Sequence, residues 1–426
     1  MFFSIYCLIL YLKKEGIILA SGEKVMLIDR FLDYISYETT SKEDSDTSPS
    51  TLIQLELGKH LYDELNKLGL KETYFSSTGY VYGLLEGDEN MPTIGLCAHM
   101  DTSPDASGKN VKARIIENYD GLDIKLNDNL STTVERFPFL KDFKGKTLVV
   151  SDGTTLLGAD DKAGIAIIVE TLAYLIEHKE VKHGPIRVCF TPDEEVGEGT
   201  KNFDYDRFKV DFAYTVDGGE VNYVEFENFN AASAFIKLNG ISVHPGSAKN
   251  KMVNASKLAF EFDSLLDQDM VPEKTEGYEG FNHCVGVKTQ TGEGEMAYII
   301  RNHDSSLLEK QKQMFIDAKD KMNAKYGYEC VELTIKDSYR NMREKFEGNM
   351  YPIELVQAAM SKLGMKYEAV AIRGGTDGAN LTWNGVLCPN LGTGGFNFHG
   401  VHELWVKEDG ELMVKLLVQI LSMAKK

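Results

Sequence analysis

The sequence predicts an α/β protein built in layers around a sheet, with a smaller α+β domain inserted into it. Three observations point there. Continuous apolar runs such as TIGLCAH, IRVCFT and FAYTV have the composition of strands buried on both faces. They alternate with longer stretches of helical apolar spacing, as in a sheet covered by helices. Between residues 231 and 339 the order changes to a self-contained β-α-β-β-α-β succession, the split βαβ arrangement of ferredoxin-like domains.

Taken in order, the first dozen residues, MFFSIYCLILYL, are apolar but too short to span a bilayer. Lys13 and Lys14 follow that run instead of preceding it, a poor fit to a secretory signal. Met26 stands directly before LIDRFLDYISYET, which has the spacing of the first helix, so residues 1–25 are expected to be a leader outside the fold. Leu52, Leu55, Leu61, Leu65 and Leu68 recur at helical spacing over 51–70, and Gly69 stands where a helix would stop. The strands KETYF, YVYGLL and TIGLCAH follow, then a strand at 148–150, a strongly apolar helix at 163–177, and the strands IRVCFT and FAYTV. The inserted domain reads as strand SAFIKLNGI, a helix at 253–266, the pair HCVGVKTQT and EMAYIIRNH, a helix at 306–326 and strand CVELTIKDSY. Helices at 352–363 and 408–421 return the chain to the first domain. The expected division is therefore 26–228 with 340–426, and 229–339 inserted between them, joined by short hinges.

The 426 residues make about three domain-equivalents, enough for a sizeable core. At 43% hydrophobic and 26% charged they are ordinary for a globular protein, which argues against disorder, a collagen-like chain or several membrane spans. The excess of 65 acidic over 46 basic residues, with no Lys/Arg run, excludes the basic stripe that a nucleic-acid partner would need. Cys7, Cys97, Cys189, Cys284, Cys330 and Cys388 form no C-x-x-C pair and read as free thiols of a cytoplasmic protein. Cys97 sits among apolar neighbours and reads as packing.

The chemistry lies in polar residues stranded at the ends of apolar strands: His99 and Asp101, Asp160 and Asp161, Glu194 and Glu195, Asp217, and His399. Such ends form the ligand crevice of an α/β sheet. Carboxylates desolvated there are costly unless something positive neutralises them, and too few Lys or Arg residues are interleaved to do so. Histidines with carboxylates suit zinc, and one carboxylate can bridge two ions. Singly each piece has a plainer explanation: a hydrogen-bonded strand-end histidine, a solvated Glu-Glu turn, an aspartate capping a helix. Their joint occurrence at successive strand ends carries the case.

Across IGLCAHMDTSPDASGKNV, TLLGADDKAGIA, RVCFTPDEEVG, AYTVDGG, FENFNAAS, VHPGSAK, TEGYEGF, DSYRNMRE, IRGGTDGA and NFHGVHE, the chain from about Met26 onward resembles the two-zinc peptidases. That family includes glutamate carboxypeptidase and succinyl-diaminopimelate desuccinylase, and the likeness is strongest to its branch acting on tripeptides. The resemblance implies a mixed sheet flanked by helices, a ferredoxin-like (βαββαβ) lid closing over the substrate, and two zinc ions per subunit. Within it Asp160 is the bridging carboxylate, His99 and Asp217 serve one zinc, and Glu195 and His399 the other. His399 is preferred to His402 because the family's last ligand precedes a glutamate by four positions, as His399 precedes Glu403. Asp101 would accept the other ring N–H of His99, and Glu194 would be the general base, although the residues alone do not separate Glu194 from Glu195. His244 is the implied oxyanion donor. Arg373 is the favoured cation for the substrate's α-carboxylate, with Arg301 and Asn254 as further candidates. The expected activity is release of the N-terminal residue from tripeptides by a cytoplasmic aminopeptidase in peptide catabolism, without a membrane partner. Dipeptides, acylated amino acids or C-terminal residues are alternative substrates, and a peptide-binding protein without turnover ranks below them. The oligomeric state stays open, a homodimer through a sheet edge of the inserted domain included, as does whether His244 acts in its own subunit or across an interface.

Overall fold

The computed structural model describes residues 17–18 and 24–426. The leader expected over 1–25 lies outside them, apart from Ile17–Ile18 and Lys24–Val25, which pair as two short antiparallel strands. By contacts the chain divides into two units: one of residues 1–226, 346–370 and 376–426, the other of 227–345 with 371–375. Among the described residues no helix is long and apolar enough to cross a membrane.

The first unit opens with helix α1 (Leu27–Ile35), whose Leu27, Ile28, Phe31, Tyr34 and Ile35 form one buried stripe. Arg30 is buried on this helix and is neutralised by Glu64 at 2.9 Å and by Glu170. Helix α2 (Gln54–Leu68) ends where Gly69 takes φ 88°, a left-handed cap that glycine adopts at no steric cost. It starts later than its apolar spacing implies. Leu52, counted there as a core position, is 67% exposed. Asp193 draws this entry inward instead, accepting from Ser50 N at 2.7 Å, Ser50 Oγ at 2.5 Å and Gln54 Nε2 at 2.7 Å.

The sheet holds β1 (Lys71–Phe75), β2 (Val81–Leu85), β3 (Ile94–His99), β4 (Ile186–Thr191), β5 (Phe212–Val216), β6 (Tyr223–Asn228), β7 (Glu368–Ile372) and β8 (Asn390–Leu391), in the order β7-β6-β8-β5-β3-β4-β2-β1. Its middle strands β8, β5, β3 and β4 are parallel, while β6, β2 and β1 pair antiparallel, so the sheet is mixed. Parallel pairing puts the C-terminal ends of β3, β4 and β5 on one edge. Thr191 lies level with His99, and Thr215 with Cys97, so Asp217 comes up beside His99.

Helix α3 (Ala159–Glu177) packs on β3 and β5 and is covered by α1 and by the last helix, Lys407–Met423. On the other face Tyr80, Tyr82, Phe203 and Phe208 cluster with the buried thiols of Cys97, Cys189 and Cys388. Burial pushes the Cys97 thiol well above its ordinary range, so it packs and does not react. The close approach of α3 to the sheet depends on Gly164, where an added Cβ would lie 1.8 Å from the Val216 carbonyl oxygen and 2.4 Å from Asp161 Oδ1. Alanine would gain up to about 1 kcal/mol of helix propensity. Overpacking against a backbone oxygen that cannot rotate away costs about 1–3 kcal/mol, so the second effect wins. Gly164→Ala is thus expected to lower the urea midpoint, and an unchanged midpoint would contradict this packing.

A smaller antiparallel sheet joins Gly395–Phe396, Leu404–Val406, Leu148–Val150 and Arg114–Ile116. It anchors both ends of the 397–403 loop that carries His399.

The second unit is a four-stranded antiparallel sheet of Asn230–Asn239, Phe281–Thr289, Glu293–Asn302 and Val331–Asp337, with helices Ala255–Ser264 and Ser305–Tyr326. Along the chain one strand, a helix, two strands, a helix and the fourth strand follow one another, the β-α-β-β-α-β order. Ile236, Leu238, Phe262, Tyr298, Ile300 and Phe315 make its core.

Candidate metal centre

Five segments of the first unit converge at the strand ends. His99, 2% exposed, ends β3 and directs Nε2 to Asp160 Oδ1 at 2.8 Å and to Asp217 Oδ1 at 3.8 Å. Its Nδ1 stands 3.1 Å from the Asp101 carbonyl oxygen and 3.4 Å from the Asp101 carboxylate. The Asp101 carboxylate, fully buried, mainly holds the neighbouring loop: Oδ1 accepts from Glu194 N at 3.0 Å and Oδ2 from Glu195 N at 3.2 Å. Asp101 therefore faces the His99 ring through its backbone carbonyl first, and its side chain presents both glutamates.

Asp160 and Asp161 begin α3 with non-helical backbone angles, joined by a cis peptide bond. Their side chains have different work. Asp161 accepts from His99 N at 3.2 Å and Gly164 N at 3.1 Å, which ties strand to helix. Asp160 divides its two oxygens, Oδ1 toward His99 and Oδ2 toward His399 Nε2 at 3.4 Å. His399, at φ 61°, also meets Glu195 Oε2 at 2.9 Å through Nε2 and Asp105 Oδ2 at 3.4 Å through Nδ1. Two donor groups result, His99–Asp160–Asp217 and Asp160–Glu195–His399, each with its ligand atoms within 4.8 Å of one another.

The electrostatics match a cation site. Burial, and then the Asp160 charge, push the Glu195 carboxyl up to about 7, and burial carries Asp217 and Glu194 well above the carboxylate range. Hydrogen bonds to Asp160 and then Glu195 push His399 up to about 11. Burial would lower His99, yet Asp217, Asp101 and Asp160 hold it well above its ordinary value. Asp160 shows the reverse: burial would raise it, but the bonds from His399 and His99 keep it below the usual range. Glu195 Oε1 is buried with no hydrogen-bond partner, an orphan that a bound cation would satisfy. Oxygen and imidazole donors in two groups that share one carboxylate fit a pair of divalent metal ions.

Three participants escaped the sequence analysis. Glu403, known there only as a spacing mark, is 1% exposed and accepts from the backbone of the Asp160 loop. Asp193 fixes the loop before Glu194, and Asp105 faces the second ring nitrogen of His399. His402 is turned away, with Nδ1 on Thr132 Oγ1 at 2.9 Å and its ring on Phe137.

The remaining candidates lie in the second unit. His244 is exposed in a short turn and accepts from Gly246 N at 3.2 Å. Asn254 caps helix Ala255–Ser264 by accepting from Ser256 N at 2.9 Å. Arg301 donates to the carbonyls of Ala232 at 3.2 Å and Ile300 at 3.0 Å and lies over the Tyr339 ring. Arg373, in the segment 371–375, donates to the carbonyls of Gly277 at 2.5 Å and Glu279 at 3.1 Å and lies over Phe229.

Comparison with known proteins adds to this geometry. The model of peptidase family M20/M25/M40 matches residues 142–423. Peptidase T of Clostridium perfringens is 47% identical over 396 residues, covering 92% of this chain and 98% of that protein. Among solved structures, the aminopeptidase PepT of Bacillus cereus superposes with TM-score 0.73 at 22% identity, over 93% of this chain and 97% of that one. A tripeptidase of Staphylococcus aureus gives TM-score 0.74 at 21% identity with the same coverage. The shared fold accounts for the mixed sheet.

Proposed function

The chain belongs to peptidase family M20/M25/M40, and from that membership we propose that it hydrolyses the N-terminal peptide bond of tripeptides, releasing an amino acid and a dipeptide, with two zinc ions across Asp160. The observation that carries the metal centre is the division of the Asp160 carboxylate, Oδ1 at 2.8 Å from His99 and Oδ2 at 3.4 Å from His399. The tripeptide specificity rests on the sequence resemblance and on 47% identity to Peptidase T along nearly the whole chain.

His99, Asp160 and Asp217 would hold one ion, and Asp160, Glu195 and His399 the other. Bound there, the pair supplies Lewis acidity, lowering the pKa of a water and polarising the scissile carbonyl. The protein's own part is proton handling and orientation. Asp101 fixes the backbone of Glu194 and Glu195 from its two oxygens, so the adjacent carboxylates keep separate tasks. Glu194, raised by burial, takes the proton of the attacking water and returns it to the leaving amine. His244 is proposed as a donor to the tetrahedral oxyanion and Arg373 as the cation for the α-carboxylate. Arg301, which clamps the backbone of the second unit, and Asn254, which caps one of its helices, are proposed as further substrate contacts. The free thiols suit a cytoplasmic enzyme.

Amino-acid release is expected from a free tripeptide with zinc present, absent after chelation, and absent from the N-acetylated tripeptide and the matching dipeptide. Chromatography of the products checks this. Turnover of the blocked or shorter substrate at the same rate would keep the metal centre and overturn the substrate class.

A further inference from the structure

We propose that Glu403 is a positioning residue for the bridging carboxylate, setting the affinity for both metal ions by holding the backbone that presents Asp160. The inference rests on Asp160 being the shared ligand. Glu403 is 1% exposed. Its Oε2 accepts from Leu157 N at 2.6 Å and Gly158 N at 2.8 Å, and its Oε1 from Asp160 N at 3.0 Å. These three donors need an outside acceptor, since they stand at and before the first turn of α3, where no intrahelical carbonyl reaches them. Gly158 at φ 85° and the non-helical Asp160 give the segment a shape that a regular helix start would not hold. A carboxylate is the stronger acceptor for such N–H groups.

Glu403 is itself held firmly. It directly precedes strand Leu404–Val406, whose Leu404 and Trp405 are fully buried and which pairs with Leu148–Val150. It also closes the loop that carries His399. One rigid strand end thus fixes the bridging ligand relative to the loop of the second histidine. The same device recurs across the centre, where Asp101, two residues after His99, accepts from Glu194 N and Glu195 N. In each case a histidine-bearing segment supplies a buried carboxylate that holds the acidic segment facing it.

The test is titration of the chelator-stripped full-length chain with Co(II), followed by its visible absorption. Wild type should bind two ions. Glu403→Gln points an amide NH2 at one of the backbone donors and should weaken both sites by about 10- to 100-fold, as for other residues that orient metal ligands. Glu403→Asp keeps the charge but falls short of the three donors, and should lie between the two. Should the glutamine variant not fold, hydrogen exchange of the metal-free wild type decides, with slow exchange expected at Leu157, Gly158 and Asp160. Affinities of folded Glu403→Gln equal to wild type, or fast exchange at all three amides, would overturn the proposal while leaving the peptidase assignment intact. Absence of a Co(II) pair on the wild type would overturn both.

Discussion

Glu194→Gln is expected to lose about 10²- to 10⁴-fold in kcat, the usual contribution of a positioned acid–base group, while still binding two metal ions. At about 1.4 kcal/mol per tenfold the loss is roughly 3–5 kcal/mol of barrier. Glutamine matches the side chain in size, and the backbone bond from residue 194 to Asp101 at 3.0 Å does not depend on the carboxylate. KM should therefore change little, because what is removed is a proton acceptor used in the transition state. The neighbouring variant gives the contrast. Glu195 Oε2 meets His399 at 2.9 Å and its other oxygen is an orphan, so Glu195→Gln should lose metal from the His399 group together with activity. Steady-state kinetics on a tripeptide and elemental analysis of bound metal separate the two results. A Glu194→Gln variant that has lost an ion would exchange the assigned roles.

What the sequence disclosed and what it hid follow from the range of the interactions. His99, Glu194 and Asp217 were legible because each polar residue terminates or follows an apolar run, and parallel strands carry such ends to one edge without further information. Asp160 and Asp161 look alike in sequence. The backbone separates them, spending Asp161 on His99 N and Gly164 N and freeing Asp160 for two histidines. Glu403 was hidden by distance, since its donors lie 243–246 residues earlier and no local period marks them. Leu52 shows the opposite failure. Its spacing fits the stripe of α2, but Asp193, from a strand end far along the chain, sets where that helix begins.

Asp160→Asn is expected to abolish turnover and reduce bound metal from two ions to fewer than one, because both donor groups share this residue. Several kcal/mol of transition-state stabilisation go with the ions, on the order of 10³-fold or more in rate. Asp217→Asn removes a donor from one group only and should retain the ion of the other. The metal-free forms give a second comparison, with opposite signs. Asp160 lies below its ordinary pKa when folded, so it contributes stability that is present above about pH 4 and is lost as pH falls through the folded value. Asp217 lies well above its ordinary pKa, mainly through burial, so its favourable contribution is present below about pH 4 and is gone once pH rises through the folded value. At neutral pH, without metal, Asp160→Asn should therefore lower the melting temperature and leave His99 and His399 without their shared partner. Asp217→Asn should leave it unchanged or raise it, since the substitution removes a carboxyl whose ionised form burial disfavours. Melting curves of the two chelated variants at pH 7 check the signs, and equal destabilisation by both would show that the two carboxylates are not differently balanced in the empty centre.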